Sequence, residues 1–152
     1  ETPINSDNVK EMGKVSANAP MKIACGEWLA TRFEFEELMD VGGVQIAQPD
    51  VGRVGGLGEA KIVCDMALER GLTIVPHCWK TGISISATAH LAFVTNHCDF
   101  IEFMPPQLCV ETLRRELVKE ELVLVDGQIP LPTKPGLGVE LNEGVLERFK
   151  VA

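Results

Sequence analysis

The chain alternates short apolar runs with longer segments of helical spacing, and each run stops at a polar residue capable of chemistry. Residues 21–25 lead into Gly26-Glu27, and residues 44–47 into Gln48-Pro49-Asp50. Residues 72–75 lead into Pro76-His77, and Phe100-Ile101 into Glu102. Between these runs, residues 32–40 set Phe33, Phe35, Leu38 and Met39 among acidic residues, which reads as a helix. Residues 58–70 repeat Ala60, Ile62, Val63, Met66, Ala67 and Leu68 at helical spacing, with Gly71 placed as a C-cap. Residues 83–94, rich in Ala, Ser and small apolar side chains, predict a well-buried third helix. Four such units within roughly 100 residues imply an α/β fold of parallel strands joined by helical crossovers. In a parallel α/β barrel the C-terminal strand ends converge on one face, where the active site sits. Glu27, Asp50, His77 and Glu102 are therefore expected together.

The pattern changes at Pro105. Residues 122–125, Asp126-Gly127 and residues 128–131 predict a β-hairpin with a favoured two-residue turn. A Pro-rich stretch over 130–138 follows, then a short helix over 142–149. The expected organisation is a partial (β/α) barrel over 1–104 and an extension over 105–152 that packs on the barrel or on a capping domain.

Composition narrows the function classes. The 152 residues are 45% hydrophobic and 24% charged, as in a folded globular protein rather than a disordered one. The net charge of −8, with no Lys/Arg cluster, argues against nucleic acid or an anionic membrane as partner. No apolar run reaches the length of a membrane span, and no basic-then-apolar leader opens the chain. The five cysteines, an odd number without CxxC spacing, suit a reducing cytoplasm and buried packing roles rather than disulfides or zinc.

Other features carry less. Gly55-Gly56-Leu57-Gly58 lacks the lysine of a phosphate-binding loop and reads as a tight connection. Ser84 and Ser86 lack a nucleophile elbow. His90 is expected to be a satisfied core or interface residue, and His97 an exposed one. Trp28, Trp79 and Lys80 follow strand-end positions and are open to either substrate contact or rim packing. Arg114-Arg115-Glu116 and residues 119–121 read as a solvated helix face.

Taken in order, these strand ends resemble the enolase superfamily and its mandelate racemase branch. Glu1-Thr2-Pro3 is similar to that family's fourth strand end, and Ile23-Ala24-Cys25-Gly26-Glu27 to its fifth. Gln48-Pro49-Asp50 with Gly55-Gly56 resembles the sixth, Val75-Pro76-His77 the seventh, and Phe100-Ile101-Glu102 the eighth. Residues 135–139 resemble the family's C-terminal segment. The intervals of 26, 23 and 27 residues from Glu1 through Glu27 and Asp50 to His77 fit the family's spacing.

The resemblance implies the C-terminal half of a TIM-type barrel and a magnesium-dependent enzyme. In it, Glu1 and Glu27 are two of three carboxylate ligands to Mg²⁺, a hard cation that takes oxygen donors. His77 is the general base, or the acid that assists loss of a hydroxyl, with Asp50 orienting it. Glu102 donates a hydrogen bond to the developing enolate when kept protonated. The third metal-ligating Asp and a lysine base would lie before this segment, so the segment alone is expected to be inactive. No lysine stands at residues 48–53, where the muconate-lactonizing branch places its base. The expected reaction of the parent is dehydration of a sugar acid, with racemisation or epimerisation of a hydroxy acid as the alternative. The expected assembly is a homo-oligomer. Two rival readings remain: a non-catalytic half-barrel that serves only in assembly, and an open Rossmann-like domain with a nucleotide crevice.

Overall fold

A computed structural model describes residues 1–151. Short parallel strands alternate with helices, and the strands form one curved arc. β1 (Ala24–Cys25), β2 (Ile46–Ala47) and β3 (Thr73–Ile74) make a parallel sheet in the order β1-β2-β3, with Ala24 opposite Ile46 and Ile46 opposite Thr73. β4 (His77–Cys78) pairs in parallel with β5 (Glu102–Phe103), placing His77 directly beside Glu102. β3 and β4 are one strand interrupted at Pro76, which has no N–H to give to the ladder. The line continues across the break, because the Val75 amide donates to Ala47 O at 3.0 Å and the His77 amide to Pro49 O at 3.2 Å. At the other margin the Thr2 amide donates to Ala24 O at 2.8 Å, so residues 1–3 lie along β1. The arrangement is that of half a barrel. Among the described residues the strand order never reverses, and such a reversal is where an open nucleotide-binding sheet would place its crevice.

The three expected helices are present, each with legible ends. α2 (Arg32–Asp40) starts at a capping box in which the Thr31 side chain accepts from the Glu34 amide and Glu34 reaches back to the Thr31 amide. α3 (Leu57–Glu69) ends in a Schellman motif: Gly71, at φ +70°, donates to Leu68 O, and the Leu72 amide donates to Ala67 O. α4 (Gly82–Phe93) is buried on nearly every side. A further helix, α1 (Val9–Asn18), has no counterpart in the expectations. Its apolar stripe is thin, and only Met12 is fully buried, so its spacing gave little signal. The N-cap is readable afterwards in Asn8, whose side chain accepts from the Glu11 amide.

The core runs from Met12 to Leu91 and is centred on Phe35, Leu38, Val44, Val63, Ile74 and Leu91 between helices and strands. Cys25, Cys64 and Cys78 are buried, and burial pushes the Cys64 thiol up to about 12 and that of Cys78 to about 11. They behave as small hydrophobes.

The tail departs from two expectations. The predicted hairpin reduces to a single bridge between Val125 and Gln128, whose amides and carbonyls pair at 2.8 and 2.9 Å. Asp126 and Gly127, at φ +50° and +78°, make the expected turn, but the flanking apolar residues Val123, Leu124 and Leu131 find no strand partners among the described residues. Arg114 is no solvated residue. It lies in α5 (Thr112–Glu116) at 6% exposure, paired with Glu121 at 2.6 Å and donating to Met104 O. Helical spacing cannot show that the following turn folds a carboxylate back onto the helix. α6 (Glu143–Phe149) closes the chain within the predicted span.

Candidate active site

Four strand-end residues meet on one face of the arc, each fixed by its local backbone. Gly26 turns the chain at φ +133° directly over the Phe35 ring, where a Cβ would come within 2.5 Å of Cε1. Only glycine combines that φ with that contact, and the turn aims Glu27 into the site. Gln48-Pro49-Asp50 leaves β2 fully buried, with Asp50 at 1% exposure. His77 and Glu102 lie within β4 and β5 rather than just beyond them, so their register is fixed by the ladder.

The polar contacts form one network. His77 Nδ1 faces Asp50 Oδ2 at 2.8 Å, and His77 Nε2 faces Glu27 Oε2 at 3.1 Å. Asp50 Oδ1 accepts from the Gly52 amide at 2.8 Å and from Lys80 Nζ at 2.7 Å. Gln48 Nε2 donates to Glu102 Oε2 at 2.8 Å. Trp79 lies nearly parallel to the His77 ring, with centroids 6.0 Å apart.

The electrostatics separate these groups. Burial alone would raise the Asp50 pKa, but hydrogen bonds from His77 and Lys80 and their charges hold it below the ordinary aspartate value. Burial works against charge on His77, yet the Asp50 hydrogen bond and the charges of Asp50, Glu27 and Glu102 raise it above the usual histidine value. Glu102 is raised, first by burial and then by the charge of Glu1, with Glu27 adding to it. Acid and base character pushed apart in one cluster is a pattern of catalytic sites.

The structure thus brings Glu27, Asp50, His77 and Glu102 together on one face. Glu1 is exposed and adjacent, held through Thr2 beside β1, and its charge reaches Glu102. Sequence reasoning gave no role to Gln48 and left Lys80 open. The signal for Gln48 was a buried amide at the end of an apolar strand, and its Oε1 has no partner among the described residues. His97 is exposed as expected. His90 is half-buried but not satisfied, since its Nε2 also lacks a partner among the described residues. A cavity of about 600 Å³ lies elsewhere, between the end of α4 and the tail turn.

A half-barrel that gathers polar residues from four successive strand ends has a counterpart among known sequences. The profile of the enolase C-terminal domain-like family matches residues 1–145. The chain belongs to that family. A D-galactonate dehydratase of Verminephrobacter eiseniae is 34% identical over 99% of this chain and 40% of its own length. A D-galactarolactone cycloisomerase of Agrobacterium fabrum is 30% identical over 99% of the chain and 41% of its own. The chain spans about two fifths of the length of these curated relatives. Among solved structures, a 3,6-anhydro-D-galactonate cycloisomerase from Zobellia galactanivorans superimposes with a TM-score of 0.86 at 30% identity, covering 97% of this chain and 41% of that one. A mandelate racemase/muconate lactonizing enzyme from a Sulfitobacter species gives 0.82 at 35% identity, covering 94% and 35%. The enolase-type half-barrel replaces the open nucleotide-binding reading. Among the described residues, no helix is long and apolar enough to cross a membrane.

Proposed function

We propose that this family member supplies the His–Asp side of an active site that dehydrates sugar acids, within the protein that carries this segment. The observation behind this reading is the Asp50–His77 contact at 2.8 Å, with Glu27 and Glu102 on either side. With Nδ1 committed to Asp50, His77 Nε2, which faces Glu27 Oε2 at 3.1 Å, is the ring nitrogen that exchanges a proton with substrate in place of that contact. Asp50, anionic and buried, fixes the tautomer and balances the imidazolium when it forms. Two bonds break in the reaction: C–H beside the substrate carboxylate, and C–O at the next carbon. A base from the part of the protein outside these residues takes the C–H proton, protonated His77 gives its proton to the departing hydroxyl, water leaves, and the enol product tautomerises to a 2-keto-3-deoxy acid. Glu102, raised in pKa by burial and by the charge of Glu1, donates in its protonated form to the carboxylate oxygen on which charge builds.

The donor set is consistent with magnesium. Glu1 and Glu27 offer oxygen donors from neighbouring lines of the arc, the kind a hard cation takes. Among the described residues, no group of three His, Cys, Asp or Glu is spaced to hold a metal, so the remaining ligands would come from water, substrate and other parts of the parent protein. A bound Mg²⁺ would supply Lewis-acid stabilisation of the charge on the substrate carboxylate. In this division of labour residues 1–104 carry the chemistry and residues 105–152 are an extension that packs against them.

The test is a panel of aldonic, aldaric and simple 2-hydroxy acids offered to the protein that carries this segment, with added Mg²⁺. 2-Keto-3-deoxy product from at least one polyhydroxy acid is expected. Inversion at C2 without water loss would replace dehydration with racemisation. Absence of both, with the protein folded, would leave a non-catalytic half-barrel as the reading.

A further inference from the structure

Lys80 stands outside the residues given a role above. It follows β4 by two positions, and its Nζ reaches Asp50 Oδ1 at 2.7 Å. Gly52 makes room for it: a Cβ there would lie 3.1 Å from Nζ and 3.4 Å from Cδ of Lys80. Asp50 is therefore held at both oxygens, Oδ1 by Lys80 and the Gly52 amide, Oδ2 by His77. A carboxylate this deeply buried is costly to keep charged without a charged partner. The Lys80 amine gives the carboxylate a second donor, on the oxygen that His77 does not use.

We infer that Lys80 is a positioning residue for the proton-transferring dyad. It fixes the plane and the charge of the Asp50 carboxylate, so that Oδ2 always presents itself to His77 Nδ1. Lys80 acts through Asp50, not on substrate. The inference rests on the dyad reading of the proposed function.

The experiment uses the protein that carries this segment and the panel acid it turns over fastest. Lys80→Met is expected to lower kcat about 10- to 100-fold, the range for partners that orient a functional group, with KM unchanged within about twofold. Lys80→Arg, which keeps charge and donor, is expected to recover most of the loss. In an Asp50→Asn background, Lys80→Met is expected to cost nothing further. An unchanged kcat in Lys80→Met, a loss confined to KM, or additive losses in the double variant would each overturn the inference. His77→Asn separates the two readings. If it abolishes turnover while Lys80→Met is silent, only the Lys80 role fails; if it is itself silent, both fail. Where no panel acid is turned over, proton NMR decides. The downfield Nδ1–H resonance that His77→Asn removes should persist in Lys80→Arg and be lost to exchange in Lys80→Met, and its survival unchanged in Lys80→Met would overturn the inference.

Discussion

Asp50 and Arg114 are the two charged residues buried most completely among the described residues, one on the strand-end face and one in the tail. Asp50 has a partner on each oxygen, and those partners include a histidine and a lysine that reach outward to the site. Arg114 is tied to Glu121 and to Met104 O, yet its Nε and the Glu121 Oε1 have no partners among the described residues. The surroundings differ as well. Asp50 sits at the end of a strand backed by the continuous core, whereas the tail buries few apolar side chains and exposes Leu108, Val110, Val123 and Leu124. The contrast teaches that burial of a charge has no single meaning. On the strand-end face it sets proton affinities among groups that all face one site. In the tail it fastens a thinly packed segment to the barrel.

That contrast can be broken by substitution. Arg114→Ala leaves Glu121 buried and unpaired, and removing one partner of such a pair costs about 3–5 kcal/mol. Denaturant unfolding should show this loss, and limited proteolysis should cut the tail first. Replacing both residues by Met should cost much less, because no lone charge remains. A smaller loss is expected from Gly82→Ala. Its new Cβ would overlap Val118 Cγ2 and approach Glu121 Cγ, where the tail meets the start of α4. Overpacking of this kind costs about 1–3 kcal/mol. If thermal unfolding shows no loss, the tail yields freely and its fastening has been overstated.

The smallest effect concerns the capping box of α2, whose hydrogen bonds involve neither Asp50 nor Arg114. Glu34 has its pKa lowered, mainly by the Ala30 amide and then by Thr31, against some burial. A group depressed in the folded state stabilises above its unfolded pKa, and the benefit is lost as pH falls through the folded value. Glu34→Gln should therefore cost a few tenths to about 1 kcal/mol at neutral pH. The difference from the parent should shrink as pH falls below the ordinary glutamate range and vanish below the depressed folded value. Paired unfolding curves at neutral and acid pH check this.

The legible parts of the sequence were those governed by local rules. The three helices of the arc were readable because their apolar spacing and end signals agree, as at Thr31 and Gly71. Strand ends were readable because barrel geometry makes successive ends converge, which placed Glu27, Asp50, His77 and Glu102 together. Strand bounds were less so. Pro76 splits one strand in two, and a ladder only two residues long is set by neighbours far away in the chain, as Glu102 is from His77. The contacts of Lys80 and Gln48 were hidden for the same reason, since each reaches a residue far away in the chain. The Arg114–Glu121 pair was misread because a charge run on a short helix looks solvated until the next turn is folded.

Proton transfer at His77 Nε2, with Asp50 holding the ring, is the central claim. Its most direct test is His77→Asn in the protein that carries this segment, with turnover of the best panel acid and Mg²⁺ affinity by calorimetry measured side by side. The expected result is a fall in kcat of about 10²–10⁴, the usual contribution of a positioned acid or base, with Mg²⁺ affinity retained. Unchanged turnover would contradict the claim.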